Sequence, residues 1–163
     1  MIMKELPEIH VHNVQMRVMG IAVDARVNYM FSISESGYLI VTDLNDTKSN
    51  QGKFVSSQVL NTQGLKALIH DNHRNVLFVA SGEGDVFILN SITREPQLIT
   101  KIKTDQAVCI RGLTRSISLD EYWSSASGQS IKKGALFQNF LMASDMNGYI
   151  TIFDIGNPGK EKQ

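Results

Sequence analysis

A short motif that the chain writes three times constrains its fold more than any other feature. Ser36-Gly37-Tyr38-Leu39-Ile40-Val41-Thr42-Asp43 returns as Glu83-Gly84-Asp85-Val86-Phe87-Ile88-Leu89-Asn90 and as Asn147-Gly148-Tyr149-Ile150-Thr151-Ile152-Phe153-Asp154. Each copy is a polar residue, a glycine, a β-rich run and a closing Asp or Asn. Each also follows a second apolar run that ends in small residues, at 29–34, 76–81 and 140–144. Two such runs joined across a glycine read as a β-hairpin, because glycine reaches the positive φ that tight hairpins require. Gly37, Gly84 and Gly148 are therefore expected in the left-handed region. A hairpin that recurs at forty-odd residues marks a repeat architecture.

The intervening segments complete each unit. Gly20 to Asp24 reads as a strand ahead of the first hairpin, and Phe54 to Leu60 as one after it. The second unit repeats this order, with Leu65 to Ile69, a turn at Asp71 to Asn75, the hairpin, and Gln97 to Ile102. Four strands per period and no sustained helical period predict an all-β protein. The units fall at 18–64, 65–107 and 108–155. An insertion rich in Ser, Gly and Lys at 116–138 interrupts the third, and a polar tail at 156–163 follows it. The N-terminal segment 1–17 offers one further strand, Glu8 to His12, placed where a neighbour's outer strand would lie. The expected total is twelve strands.

The repeated residues resemble degenerate WD40 repeats, in which the third strand of each blade closes on an aromatic-Asp pair. Phe153-Asp154 comes nearest, while Thr42-Asp43 and Leu89-Asn90 keep the polar half; the blade tryptophan and the Gly-His pair are missing. The resemblance covers roughly residues 18 to 155 and implies a partial β-propeller of about three four-stranded blades. Three blades fall below the four that closed propellers typically need. The arc should then have two open ends, templates for another chain. A weaker similarity is to the propeller part of FYVE-containing WD40 proteins. No cysteine cluster for such a finger is present, so no lipid-binding role follows. The Phe-Arg-Arg-Gly run of phosphoinositide-binding propellers is also absent, with only His73-Arg74 and Leu113-Thr114-Arg115 in its place.

Composition narrows the role. Sixteen basic residues balance sixteen acidic ones, so no global field points to nucleic acid. Hydrophobic content of 42% with 20% charged residues fits a globular protein. No run approaches a membrane span, and the first residues lack an apolar signal core. With Cys109 as the single cysteine, a cytoplasmic location is expected. Cys109 sits in an apolar run and reads as a small buried hydrophobe.

The sequence offers no catalytic constellation: no nucleophile elbow, no Cys-His pairing, no phosphate-binding glycine loop. His10, His12, His70 and His73 supply no converging third ligand, so they read as solvent-facing and no metal or other cofactor is expected. Asp24, Asp43, Asp71 and Asp154 fall at turns or strand ends, where Asp bonds the local backbone. The repeat-defining positions are Gly37, Asp43, Gly84, Asn90, Gly148 and Asp154. The insertion is the most specific feature, with Asp120, Glu121, Tyr122 and Trp123 ahead of Lys132 and Lys133. Aromatics of this kind are over-represented at interface hot spots. The expected function is a non-catalytic protein-interaction scaffold. Its expected partners are other proteins or remaining propeller blades, with self-association through the open edges. The alternatives are a propeller-type enzyme subunit and a structural subunit of a large assembly.

Overall fold

The structure, a computed structural model, describes residues 16–45, 53–60, 64–72, 74–104, 109–115 and 140–155. Eleven strands run through them: β1 Val18–Asp24, β2 Tyr29–Ser34, β3 Tyr38–Asp43, β4 Lys53–Val59, β5 Leu65–Asp71, β6 Val76–Ser81, β7 Asp85–Asn90, β8 Gln97–Lys103, β9 Ile110–Arg115, β10 Phe140–Asp145 and β11 Ile150–Asp154. They form three antiparallel sheets, ordered β1-β2-β3-β4, β5-β6-β7-β8 and β9-β10-β11. The strand anticipated at Glu8 to His12 lies outside the described residues, as do the insertion residues Asp120 to Lys133 and the tail.

The hairpins form as the repeat requires. Gly37, Gly84 and Gly148 have φ of 87°, 82° and 86°. A side chain three residues before each glycine closes the turn. Ser34 Oγ accepts from Tyr38 N at 3.1 Å, and Ser81 Oγ from Asp85 N at 3.1 Å. Asp145 Oδ1 takes the same place in the third sheet, accepting from Asn147 N at 2.9 Å and Tyr149 N at 3.0 Å. The turn from first to second strand uses a different device: Asn28 and Asn75 stand at φ 54° and 55°. Asn tolerates that region better than other side-chain-bearing residues.

The sheets stack as successive blades. β5 packs on β1 and β2, and β9 on β5 and β6, so the first strand of each sheet is the innermost. Between the first and second blades lie Phe31, Ile33, Leu39 and Val41 against Leu65, Leu68, Leu77, Val79, Phe87 and Leu89. Between the second and third lie Val76, Phe78, Ala80 and Val86 against Ile110, Leu141 and Ala143, with Phe153 packed alongside. The central strands β2, β3, β6 and β7 are covered on both faces, which is why they read as nearly continuous apolar runs. The outer strands β4 and β8 are largely exposed.

Candidate interaction surface

A polar seam crosses both blade junctions at the ends of the innermost strands. Asp24 closes β1 and is buried, accepting from Arg26 N at 3.0 Å, Nε at 2.9 Å and Nη2 at 2.7 Å. Arg26 Nη2 also donates to Asn75 Oδ1 of the second blade at 2.6 Å. His70 reaches back from β5: its Nε2 lies 2.8 Å from Ser91 Oγ and 3.8 Å from Asp24 Oδ2, with its ring tilted on Phe31. Register places Arg115 of β9 where His70 stands in β5, each one pairing the leucine of the next strand, Leu141 and Leu77. Arg115 Nε lies 3.4 Å from Asp71 Oδ2, and Arg74 Nη1 lies 3.5 Å from the same oxygen. Each incoming blade thus brings a base to the carboxylate that ends the preceding inner strand. The Arg26 hydrogen bonds hold the Asp24 carboxyl below its ordinary range, and burial pushes the His70 imidazole down, against the pull of Asp24.

These contacts correct two expectations. His70 is not solvent-facing, since 2% of its side chain is exposed. The reading failed because its partner Asp24 is remote in sequence. Cys109 precedes β9 and is half-buried, so it is not a core residue. The turn aspartates do bond local backbone, Asp43 from Asn45 N at 2.8 Å and Asp71 from Arg74 N at 3.2 Å. Asn90 repeats the Asp43 device, accepting from Ile92 N at 2.9 Å. This local bond is what the polar residue closing the third strand supplies. Asp154 closes β11 at an exposed position. His10, His12, His73, Asp120, Glu121, Tyr122, Trp123, Lys132 and Lys133 lie outside the described residues.

The open end expected after the third repeat is the far face of the third blade. Strand pairing aligns Phe31-Val41 of the first blade with Phe78-Ile88 of the second and Met142-Ile152 of the third. It likewise aligns Ile33-Leu39 with Ala80-Val86 and Ser144-Ile150. In the first two blades these positions carry the next blade. In the third, Ile150 and Ile152 are 67% and 59% exposed. Gly112, Leu113, Thr114, Met142, Ser144 and Ile150 line a shallow, open cleft of about 310 Å³ there. The readable signal was the count of three blades, too few to close a ring. Among the described residues no three His, Cys, Asp or Glu side chains gather as metal ligands, and no helix is long and apolar enough to cross a membrane.

Sheet order, blade stacking and hairpin chemistry together define a partial WD40-like β-propeller. Solved structures bear this out. The chain is similar to the structure titled "Crystal structure of RRP9 WD40 repeats", with a TM-score of 0.61 and 9% identity, over 89% of this chain and 37% of that one. It is similar to "Structure of U3-55K" at a TM-score of 0.61 and 9% identity, over 89% and 38%. The β-propeller domain of Cps50 (Swd1) from Myceliophteria thermophila gives a TM-score of 0.56 and 10% identity, over 88% and 39%. The chain therefore spans less than two-fifths of these propellers. No protein-family profile and no curated protein sequence matches it.

Proposed function

We propose that the chain is a non-catalytic protein-interaction scaffold that works as part of a larger propeller or complex. The uncovered face of the third blade carries this reading, because its register positions are those that bear a blade elsewhere in the molecule. Rigid strands with variable loops suit binding, and the relatives in fold are WD40 repeat domains. The insertion supplies further candidate contacts by sequence, Tyr122 and Trp123 with Asp120, Glu121, Lys132 and Lys133.

A photo-crosslinking amino acid at Ile150, with one at exposed Ile99 of β8 as control, tests the proposal in extract. The expected result is a discrete protein adduct from position 150 alone, reproduced with the purified partner and weakened by Trp123→Ala. Substrate turnover by pure chain, lost on mutating a single Asp or His, would overturn it in favour of an enzyme subunit.

A further inference from the structure

We propose that Asn147-Gly148, in the turn of the third hairpin, is a site of spontaneous covalent modification: Asn147 loses its side-chain amide to attack by the next backbone nitrogen, and the isoaspartate that results loosens β11.

The three copies of the hairpin differ at this position. Ser36 and Glu83 precede the glycine in the first two and Asn147 in the third, which makes it the one Asn-Gly pair in the sequence. Asn147 is exposed, and its side-chain amide has no hydrogen-bond partner among the described residues. The side chains of Asn28, Asn45, Asn75 and Asn90 are each held by a hydrogen bond. Gly148 has no Cβ to shield its nitrogen, and nothing lies within 4 Å of where one would stand. The hydrogen bond that ties this nitrogen down is also long, 3.4 Å to Asp145 O against 3.1 Å for Gly37 N to Ser34 O.

The chemistry needs water alone. The Gly148 N–H gives its proton to solvent as the nitrogen bonds to Cγ of Asn147. The Cγ–Nδ2 bond then breaks, and the amide leaves as ammonia after taking up a proton. One water opens the cyclic imide so formed. Addition at Cγ leaves an aspartate; addition at the main-chain carbonyl leaves an isoaspartate, whose backbone runs through Cβ and Cγ and is one atom longer.

That extra atom falls inside the turn that Asp145 organises. Asp145 Oδ1 accepts from Asn147 N at 2.9 Å and Tyr149 N at 3.0 Å, and Asp145 N donates to Tyr149 O at 3.0 Å. Displacing Tyr149 disturbs the register that pairs Ser144 with Ile150 and Met142 with Ile152. Among the described residues β11 pairs with β10 alone, whereas β3 and β7 are each held on both sides. Charge by itself is tolerated at this position, since Glu83 carries it in the second copy. Loosening therefore follows the isoaspartate and not the aspartate.

Peptide mapping by mass spectrometry tests this on the folded full chain, held for days at neutral pH and physiological temperature, with the same chain in concentrated urea as reference. Asn147 should gain the mass difference between an amide and a carboxyl over the same days in both, with isoaspartate the larger product. The change should run faster in mildly alkaline than in mildly acidic buffer, while Asn28, Asn75 and Asn90 stay intact in the folded chain. Hydrogen exchange at Ile150 and Ile152 should rise in the converted chain and keep its wild-type level in Asn147→Asp and Asn147→Ser, which leave the backbone length unchanged. An Asn147 that persists in the folded chain while the chain in urea converts overturns the proposal, because the turn then protects it. Conversion that leaves exchange as it is in Asn147→Asp overturns it as well.

Discussion

Blades two and three present one face, register for register, to whatever comes next, and the two faces have opposite fates. Phe78 and Val86 lie under the third blade at 2% and 0% exposure; Met142 is partly exposed, and Ile150 stands in solvent. Side-chain chemistry alone does not separate them, since both are apolar and β-branched or bulky. Position in the arc does. At ~25 cal/mol per Å² of apolar surface removed from water, the covered face contributes stability that the open one can only contribute on binding.

Core truncation should break this comparison most visibly. Phe78→Ala empties the second junction and should cost about 4 kcal/mol, whereas Ile152→Ala, on the exposed row, should change folding stability by no more than ~0.5 kcal/mol. Denaturant titration of both variants checks it, and equal losses would mean that the third-blade face is already covered.

Two glycines sharpen the contrast at the level of backbone. Gly64, at φ 91°, packs so closely on Glu35 that an added Cβ would lie 2.2 Å from the Glu35 carbonyl oxygen. Gly148, at φ 86°, has nothing within 4 Å of such a Cβ. Gly64→Ala should therefore cost about 3 kcal/mol through strain and backbone displacement, and Gly148→Ala only the ~1 kcal/mol of left-handed strain. Thermal melts that rank them the other way would refute the close approach between blades one and two.

The smallest effect expected is a pH dependence confined to the first junction. Burial depresses the His70 pKa below its ordinary 6.5, so the unfolded chain takes up this proton more readily than the folded one. The contribution is present above that value and lost as pH falls through and below it. Asp24, also depressed, adds its loss only below about its ordinary 3.8. The melting temperature should fall from pH 7.5 to 5.5, and His70→Gln should flatten that slope. The second junction holds Arg115 where the first holds His70, so this signal belongs to the first alone.

Much of this architecture is legible in the sequence. The glycine, the β-rich run and the closing Asp or Asn give the hairpins directly, because each is a local requirement. The serine or aspartate at 34, 81 and 145, and the asparagine at 28 and 75, recur at fixed offsets and could have been read the same way. The seam could not. His70 looks like a turn residue until β5 is laid against β1, and Gly64 looks like a linker until Glu35 is brought beside it. The open face is legible from the count of three blades, too few to close a ring, but its exposure depends on what stacks beyond it.

The seam also carries a consequence for synthesis on the ribosome. Each inner-strand aspartate has one arginine close by in sequence, Arg26 for Asp24 and Arg74 for Asp71. Its second base, His70 or Arg115, is translated about 45 residues later, several seconds at ordinary elongation rates. The nearby arginine is therefore made with the carboxylate it pairs, and the later base only with the next blade. The order of synthesis thus gives each junction its near arginine before its distant base.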